Sequence, residues 1–476
     1  MSAPLDDDDR VVPLAARRKA KTAPKLKADT DVLTEDSAAL EFARQFEGYL
    51  LYDHDAGAWF VWADAYWRRE RTGLAYEWAR TLIRDLSAEI EKASARYAVR
   101  KTSFASGVEK FARSSRTFAT TSDGWNPDPY KLGTPGGVVD LRTGKLTTPN
   151  PTDKITKLTA VPPSPAAACP LWRQFLIEAT NGDVGLIRFL QQMCGYALTG
   201  DVSEHALFFV HGSGGNGKGV FLNTTSKILG TYAATSSMDT FTASTGDKHP
   251  TELAALHGSR LVTASETEEG RQWAEARIKQ LTGGDRIAAR FMRQDFFEFD
   301  PTFKIVVVGN HRPVLRNVDD ALRRRLSFIP FDHKPASPDR ELEDKLRAEW
   351  PGIMRWMIDG CLDWQANGLL RPDVVKDATA SYFGDQDIME QWLEEMCDAD
   401  PGNDYKSATS AELFSSWREY STKAGEKLMS QKSFADALQK RGFVRHKGSF
   451  GVRTFKGVRL KPTQANGRYD FEGHII

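Results

Sequence analysis

The sequence predicts an α/β fold in which a parallel sheet carries the functional core, with an α+β region ahead of it and a small domain of helices and a hairpin behind it. Three observations predict this. The apolar run Ala206-Leu-Phe-Phe-Val-His211 breaks into Gly212-Ser-Gly-Gly-Asn-Gly217 and resumes as helix-forming sequence at Lys218. Two further apolar runs, Arg260–Glu266 and Lys304–Asn310, end in a carboxylate and an amide, and strands that alternate with helices imply parallel pairing with ligands at the carboxyl ends. Beyond residue 387, two helical stretches at Ser410–Ala424 and Ser430–Lys440 precede strand-like alternation from Phe443 to Leu460.

Composition bounds the rest. A chain of 476 residues and 53.1 kDa exceeds one hydrophobic core and should divide into roughly two to four domains. Sixty-four basic side chains balance 64 acidic ones, so a polyanionic partner must be met by local patches. Cys169, Cys194, Cys361 and Cys397 form no C-x-x-C pair, which argues against a zinc site or disulfide framework and for a reduced, cytoplasmic setting. No apolar run approaches the ~18 residues that span a bilayer, so no membrane partner is expected.

Residues 1–35 pass from Asp6–Asp9 to a Lys/Arg cluster with almost no large apolar side chain and read as a disordered charged tail. Residues 36–165 read as the N-terminal α+β domain. In it, Tyr52-Asp53-His54-Asp55 has the paired acids of a two-metal site, but Asp55 falls in the turn of a hairpin spanning Gly48 to Trp62 and no second acidic element completes the site, so the turn reading is favoured. An Arg-rich helical stretch follows from Trp67 to Lys110, then β structure with turns at Thr134-Pro-Gly-Gly137 and Thr143-Gly144. Residues 166–205 have helical periodicity and predict a collar ahead of the core, 206–335.

The glycine loop is the focus of the core. Gly212, Gly214, Gly215 and Gly217 leave the backbone free to turn its N–H groups onto a phosphate, and Ser213, Asn216, Gly219 and Val220 complete the stretch. Lys218 stands where an ammonium reaches outer phosphates, at the positive end of the following helix. The match to G-x-x-x-x-G-K-[ST] fails at its last place: Gly219 has no hydroxyl to offer Mg²⁺. Glu266 ends its strand where a hydrolytic site needs a carboxylate to hold Mg²⁺ through water or polarise the attacking water, with Glu268 and Glu269 as alternatives. Asn310 is suited to the γ-phosphate or that water. Between these strands, Arg286–Phe299 predicts a hairpin turning near Met292–Asp295, with Arg290 and Arg293 near a tip rich in aromatics, a pattern that suits a phosphate backbone. Arg323-Arg-Arg325 is either a solvated charge run or an arginine finger for a neighbour's nucleotide.

With these pieces in hand, the chain resembles the superfamily 3 helicases of the poxvirus-type and phage/plasmid primase-helicase family. The likeness spans about residues 40–460 and is strongest from Leu207 to Phe331, where G-S-G-G-N-G-K-G, A-S-E-T-E-E-G, Q-L-T-G-G-D, M-R-Q-D-F-F-E-F, V-V-G-N-H-R-P and A-L-R-R-R-L-S-F-I-P-F follow the family's order. The resemblance implies an AAA+ P-loop core binding ATP and Mg²⁺ in a homohexameric ring that translocates on DNA, with single-stranded and duplex DNA as partners. It carries the phosphate-loop lysine onto Lys218, the acid onto Glu266, the sensor amide onto Asn310 and the finger onto Arg324 or Arg325. Many relatives carry a primase domain ahead of this region, whereas here only the short tail precedes it, so priming is not expected from this chain and separate primase or replication proteins are its expected partners.

Residues 336–386 read as a helical lid, and 387–476 have the order of a winged helix. From Lys440 to Lys461 there are eight Lys or Arg and no Asp or Glu, so Lys447, Arg453 and Lys456 are candidate DNA contacts. The leading reading is a replicative helicase of a phage or mobile element in a bacterial host. An ATP-dependent initiator or loader without processive unwinding is second, and a packaging-type NTPase third.

Overall fold

The computed structural model describes residues 32–243, 251–266, 270–292, 295–315, 319–335, 337–423, 428–447 and 452–461. The tail expected over residues 1–35 therefore lies outside the described residues up to residue 31. The first helix, Glu35–Phe46, starts where Thr34 and Ser37 cap each other's backbone N–H groups. The strands β1 (Leu50–Asp53) and β2 (Ala58–Trp62) form the expected hairpin, β3 (Trp67–Arg69) extends it, and β4 (Ala119–Thr120) adds in parallel to β1. Asp55 lies in the turn, and Asp53, the last residue of β1, caps it: its buried carboxylate accepts from the backbone of Asp55 and Ala56, from Ser122 Oγ and from Trp125 Nε1. Every lone-pair direction is thereby used by the protein, as the turn reading requires. The helices Leu74–Leu86, Ala93–Val99 and Thr102–Arg113 complete this region around Phe42, Phe46, Trp78 and Phe118.

A meander of β5 (Lys131–Thr134), β6 (Gly137–Asp140) and β7 (Lys145–Thr147) follows. Its apolar residues Leu132 and Val139 join the central core rather than the N-terminal one. That core is organised by five parallel strands. They are β8 (Leu207–His211), β9 (Ala233–Thr235), β10 (Leu261–Glu266), β13 (Lys304–Gly309) and β14 (Leu326–Pro330), in the order β14-β8-β13-β10-β9, while β11 (Ile287–Ala289) and β12 (Phe297–Phe299) form a separate antiparallel hairpin.

Alternation along β8 feeds two hydrophobic layers. Phe208 and Val210 enter a cluster with the helices Pro170–Ala179, Val184–Tyr196, Lys218–Leu229 and Trp350–Asn367. Leu207 and Phe209 face the opposite layer, with Trp273, Ile278, Phe328 and Tyr382. Val184–Tyr196 and Trp350–Asn367 touch backbone to backbone: a Cβ on Gly195 would lie 2.1 Å from Cys361 N, and one on Gly360 would lie 2.2 Å from Gln191 O. The edge strand β14 is covered by the helix Asp373–Gln386, where Thr379 Oγ1 accepts from Phe328 N at 3.0 Å and Tyr382 stacks on Phe328 with ring centroids 3.9 Å apart.

Two buried cations brace the amino-terminal edge of the sheet. Arg260 donates to the carbonyls of Leu198 and Lys131, and Lys304 to those of Thr199 and Asp201. Each lies 4.6 Å from a tyrosine ring, Tyr232 and Tyr196 respectively. Burial holds both pKa values down, that of Lys304 well below the usual lysine range.

The C-terminal region packs the helices Ile388–Met396, Ser410–Lys423 and Gln431–Lys440 around Trp392, Trp417 and Phe434. β15 (Cys397–Ala399) pairs with β19 (Val458–Leu460), and β16 (Ser407–Thr409), β18 (Arg453–Lys456) and β17 (Val444–Lys447) form an antiparallel sheet in that order. Among the described residues, no helix is long and apolar enough to cross a membrane.

Candidate nucleotide site

The strand register builds the site. His211 pairs with Gly309 and with Pro330, and Gly309 pairs with Glu266, so the ends of β14, β8, β13 and β10 lie in one row at the carboxyl edge of the sheet. With strands about 4.8 Å apart, Glu266 stands about 10 Å across the sheet from the start of the glycine loop. Asn310, exposed, follows Gly309 between them. The three stretches that the sequence marks thus converge on one edge, although they lie far apart in the chain.

The loop geometry follows from its glycines. Gly212 has φ +150°, and a Cβ there would lie 2.0 Å from Phe331 O, so no larger residue fits. Gly215 and Gly217 also have positive φ, and a Cβ on Gly217 would lie 2.7 Å from Phe175. At Gly214 and Gly219, in contrast, a Cβ would meet open space. The helix Lys218–Leu229 starts after Gly217 with no side-chain cap and no acid in its first turn, which leaves its first N–H groups to an anion. Ser213 is exposed beside the opening, and Val220 is half-buried on the helix.

Lys218 is buried at 6% exposure and folds back over the loop. Its Nζ donates to Gly212 O at 2.6 Å and to Asn216 Oδ1 at 3.0 Å. Asn216, 2% exposed, donates in turn to Phe331 O, pinning the loop to the chain just beyond β14. Its side chain therefore braces the loop from inside, and only its backbone is left to a ligand. Burial lowers the pKa of Lys218, with the Asp332 carboxylate opposing that effect and Lys334 adding to it.

Three further groups at this edge were not singled out in the sequence. His211 is buried and its pKa is pushed down to about 4, first by burial and then by the guanidinium of Arg312. Arg312 Nη2 lies 3.4 Å from His211 Nε2, so a second cation stands at the root of the loop. Asp332 supplies the nearby negative charge. The signal for Arg312 was present, two residues after Asn310 in V-V-G-N-H-R-P, but only pairing of β13 with β8 brings it to the loop.

The remaining candidates lie elsewhere. Arg324 and Arg325 end the helix Asp320–Arg325, which leads into the start of β14. Leu326 pairs with Leu207, so these arginines stand at the amino-terminal edge, about 13 Å of strand from their own glycine loop. Arg325 Nε donates to Thr282 Oγ1 at 3.2 Å, and Arg324 Nε to Asp320 O at 3.3 Å. The β11–β12 hairpin also lies at that edge, since it feeds β13. Arg290 lies 4.8 Å over the Phe296 ring, with Phe291 and Met292 exposed beside it, and Arg293 lies outside the described residues, as do Glu268 and Glu269. In the C-terminal sheet Lys447 is paired across from Arg453, whereas Lys456 is held by Asp404 at 2.9 Å. The basic stretch is therefore partly compensated by acids from outside it: Arg441 and Arg459 also pair, with Asp387 and Asp398.

Among the described residues, no three His, Cys, Asp or Glu side chains gather as a metal site. The loop nevertheless suits an anion such as a phosphate group: open space at Gly214 and Gly219, uncapped N–H groups and the Lys218 ammonium converge there.

Family models match two stretches of the chain. Residues 39–181 match the family model described as D5 N terminal like, and 210–325 match a model described as a family of unknown function. The first match runs past residue 165 into the helix Pro170–Ala179. Similar curated proteins include "Putative helicase 022R" of Frog virus 3 (isolate Goorha), 28% identical over 49% of this chain and 26% of its own length. Another is "Putative helicase L207/L206" of Acanthamoeba polyphaga mimivirus, 24% identical over 46% of this chain and 25% of its own. The chain thus spans about a quarter of the length of these relatives. Of solved structures, the C-terminal region of NrS-1 overlaps 90% of this chain and 100% of that one at 11% identity with a TM-score of 0.44, too loose an overlap to carry an argument.

Proposed function

We propose that this chain is the motor region of an ATP-dependent DNA helicase of the superfamily 3, AAA+ type, acting as a ring at replication. The observation that carries the reading is the row His211, Gly309, Glu266 at one sheet edge, with the uncapped helix at Lys218 beside it. In that reading Lys218 neutralises charge on the outer phosphates, Glu266 polarises water and holds Mg²⁺ through water, Asn310 orients the attacking water, and Arg312 adds charge at the loop root. Mg²⁺ offsets phosphate charge when bound. The names of the viral relatives support a helicase activity.

Arginines at the edge opposite their own loop suit a finger that completes a neighbour's site, which supports a ring. The hairpin at that same edge would grip a DNA backbone apart from the fuel. Residues 206–335 form the motor in this division, 166–205 and 336–386 its helical surround, and 387–476 a winged helix in which Lys447 and Arg453 touch duplex. A phage or mobile element of a bacterial host is the proposed origin, whereas the relatives named above come from Frog virus 3 and Acanthamoeba polyphaga mimivirus.

Displacement of one strand from a forked duplex in the presence of ATP and Mg²⁺ tests the reading. Unwinding that Lys218→Ala abolishes supports it. ATP-dependent DNA binding with no displacement at any protein concentration favours the initiator or loader.

A further inference from the structure

The Arg-rich helices of the N-terminal region enclose a cavity of about 230 Å³ that the motor reading leaves without a role. Arg80 and Arg84 reach it from the helix Leu74–Leu86, Arg100 and Lys101 from the turn before Thr102–Arg113, and Ile83, Val99 and Ala105 form its floor. All four cations are exposed, while the three floor residues are buried. No carboxylate lines the cavity. Arg80 leans on Glu77 at 2.9 Å, and Arg100 Nε donates to Ser87 Oγ at 2.8 Å, which fixes two of the four without neutralising the group. The helix Thr102–Arg113 opens onto the same turn with no side-chain cap and no acid in its first turn, adding uncompensated N–H groups. Beside the cations stands Tyr97, 71% exposed, its ring 5.4 Å from Lys101 Nζ.

We infer that this cavity is a third nucleic-acid contact, beside the hairpin and the C-terminal sheet, in which the four cations seat a backbone phosphate of a single strand and Tyr97 stacks on a neighbouring unpaired base. The inference rests on the reading of the chain as acting on DNA. Four cations around an acid-free hollow select an anion. The volume is below the roughly 300–1,000 Å³ of sites that enclose a small molecule, so a phosphate enters while the rest of its molecule stays outside. A ring exposed next to those cations offers the stacking platform that single strands use, and a paired base cannot reach it.

The test is fluorescence anisotropy of a labelled oligothymidylate with the full chain over a range of salt, scored beside DNA-independent ATPase. Arg84→Ala with Lys101→Ala should flatten the slope of log affinity against log salt by roughly 1.4, roughly 0.7 for each lost phosphate contact, and leave basal ATPase unchanged. Arg84→Lys with Lys101→Arg should keep the slope, and Tyr97→Ala should weaken binding by at least about fivefold. An unchanged slope in the double alanine variant overturns the inference while leaving the motor reading standing. Loss of inorganic phosphate or AMP binding with oligothymidylate binding intact makes this a site for a free phosphate ligand and also overturns it. Strand displacement is measured on the same preparations, so a chain that binds through this cavity but never unwinds counts against the helicase reading alone.

Discussion

Lys218 and Asn216 are joined at 3.0 Å, and because Asn216 also donates to Phe331 O, the cation proposed to meet phosphate is held by the same side chain that ties the loop to the chain beyond β14. Filling the site with a nucleotide then means exchanging protein acceptors for phosphate oxygens at Lys218. Lys218→Ala should abolish hydrolysis, whereas Glu266→Gln should bind nucleotide and lose turnover. Asn216→Ala frees the lysine but loosens the loop. It should weaken nucleotide binding by about tenfold, the worth of one buried hydrogen bond to a charged group. Equilibrium binding of a fluorescent ATP analogue, read beside phosphate release, separates the three variants. Normal turnover in Glu266→Gln would move the role to Glu268 or Glu269.

The glycines of the loop divide by what a Cβ would meet. Gly212→Ala drives a methyl into the carbonyl of Phe331 and should cost stability, on the order of 2 kcal/mol, seen as a lower Tm. Gly219→Ser points into open space, leaves Tm unchanged and supplies the hydroxyl that the motif lacks. Its ATPase should saturate at a lower Mg²⁺ concentration, by about tenfold if one direct ligand is gained. An unchanged Mg²⁺ titration shows that the ion is reached from another side.

His211 gives the loop a pH dependence with a definite sign. Its pKa falls from the ordinary 6.5 to about 4 on folding, so between those values the unfolded chain binds more protons. The stability it contributes is full above about pH 6.5 and is lost as pH falls towards about 4, with a slope of at most about 1.4 kcal/mol per pH unit. His211→Gln should flatten the acid limb of urea-derived stability in that window relative to the wild type. Equal slopes for the two proteins would mean that the histidine is not held neutral.

The strands, the loop and the hairpin were legible because each is a local pattern: apolar runs broken by glycine, or alternation around a turn. Their order was not. Nothing in Lys304–Asn310 says that β13 inserts between β8 and β10, since pairing partners are chosen by the whole sheet, and so Arg312 and Asp332 were missed at a site they help to form. β9 escaped notice because three residues, Ala233–Thr235, carry no periodicity and become a strand by pairing with β10. The eight cations near the C-terminus were legible as a count but not as a field, because Asp387, Asp398 and Asp404, which compensate three of them, come from outside the stretch.

Arg324 and Arg325 stand at the far edge from their own loop, so they should act on a neighbour's nucleotide. Neither Arg325→Ala nor Lys218→Ala subunits should hydrolyse ATP alone, whereas their mixture should recover part of the activity, because some interfaces then pair an intact loop with an intact finger. Absence of recovery at every mixing ratio, for Arg324→Ala as well, would make the run a structural helix end.

The hairpin separates a motor from a switch. The connection between β11 and β12 carries Arg290 beside exposed Phe291, Met292 and Phe296, at the sheet edge away from the candidate nucleotide loop, so the proposed grip and fuel would reside on different residues. Arg293→Ala, with Arg290→Ala as a companion, should leave nucleotide binding and DNA-independent ATPase nearly intact while removing DNA stimulation and strand displacement. Each lost phosphate contact should also flatten the salt dependence of single-strand binding by roughly 0.7. A hairpin buried between subunits behaves differently, because its loss breaks the assembly and therefore the shared ATPase sites. Size-exclusion chromatography beside the ATPase assay distinguishes the two: a monomeric Arg293→Ala protein without ATPase would defeat the assignment of this hairpin to DNA.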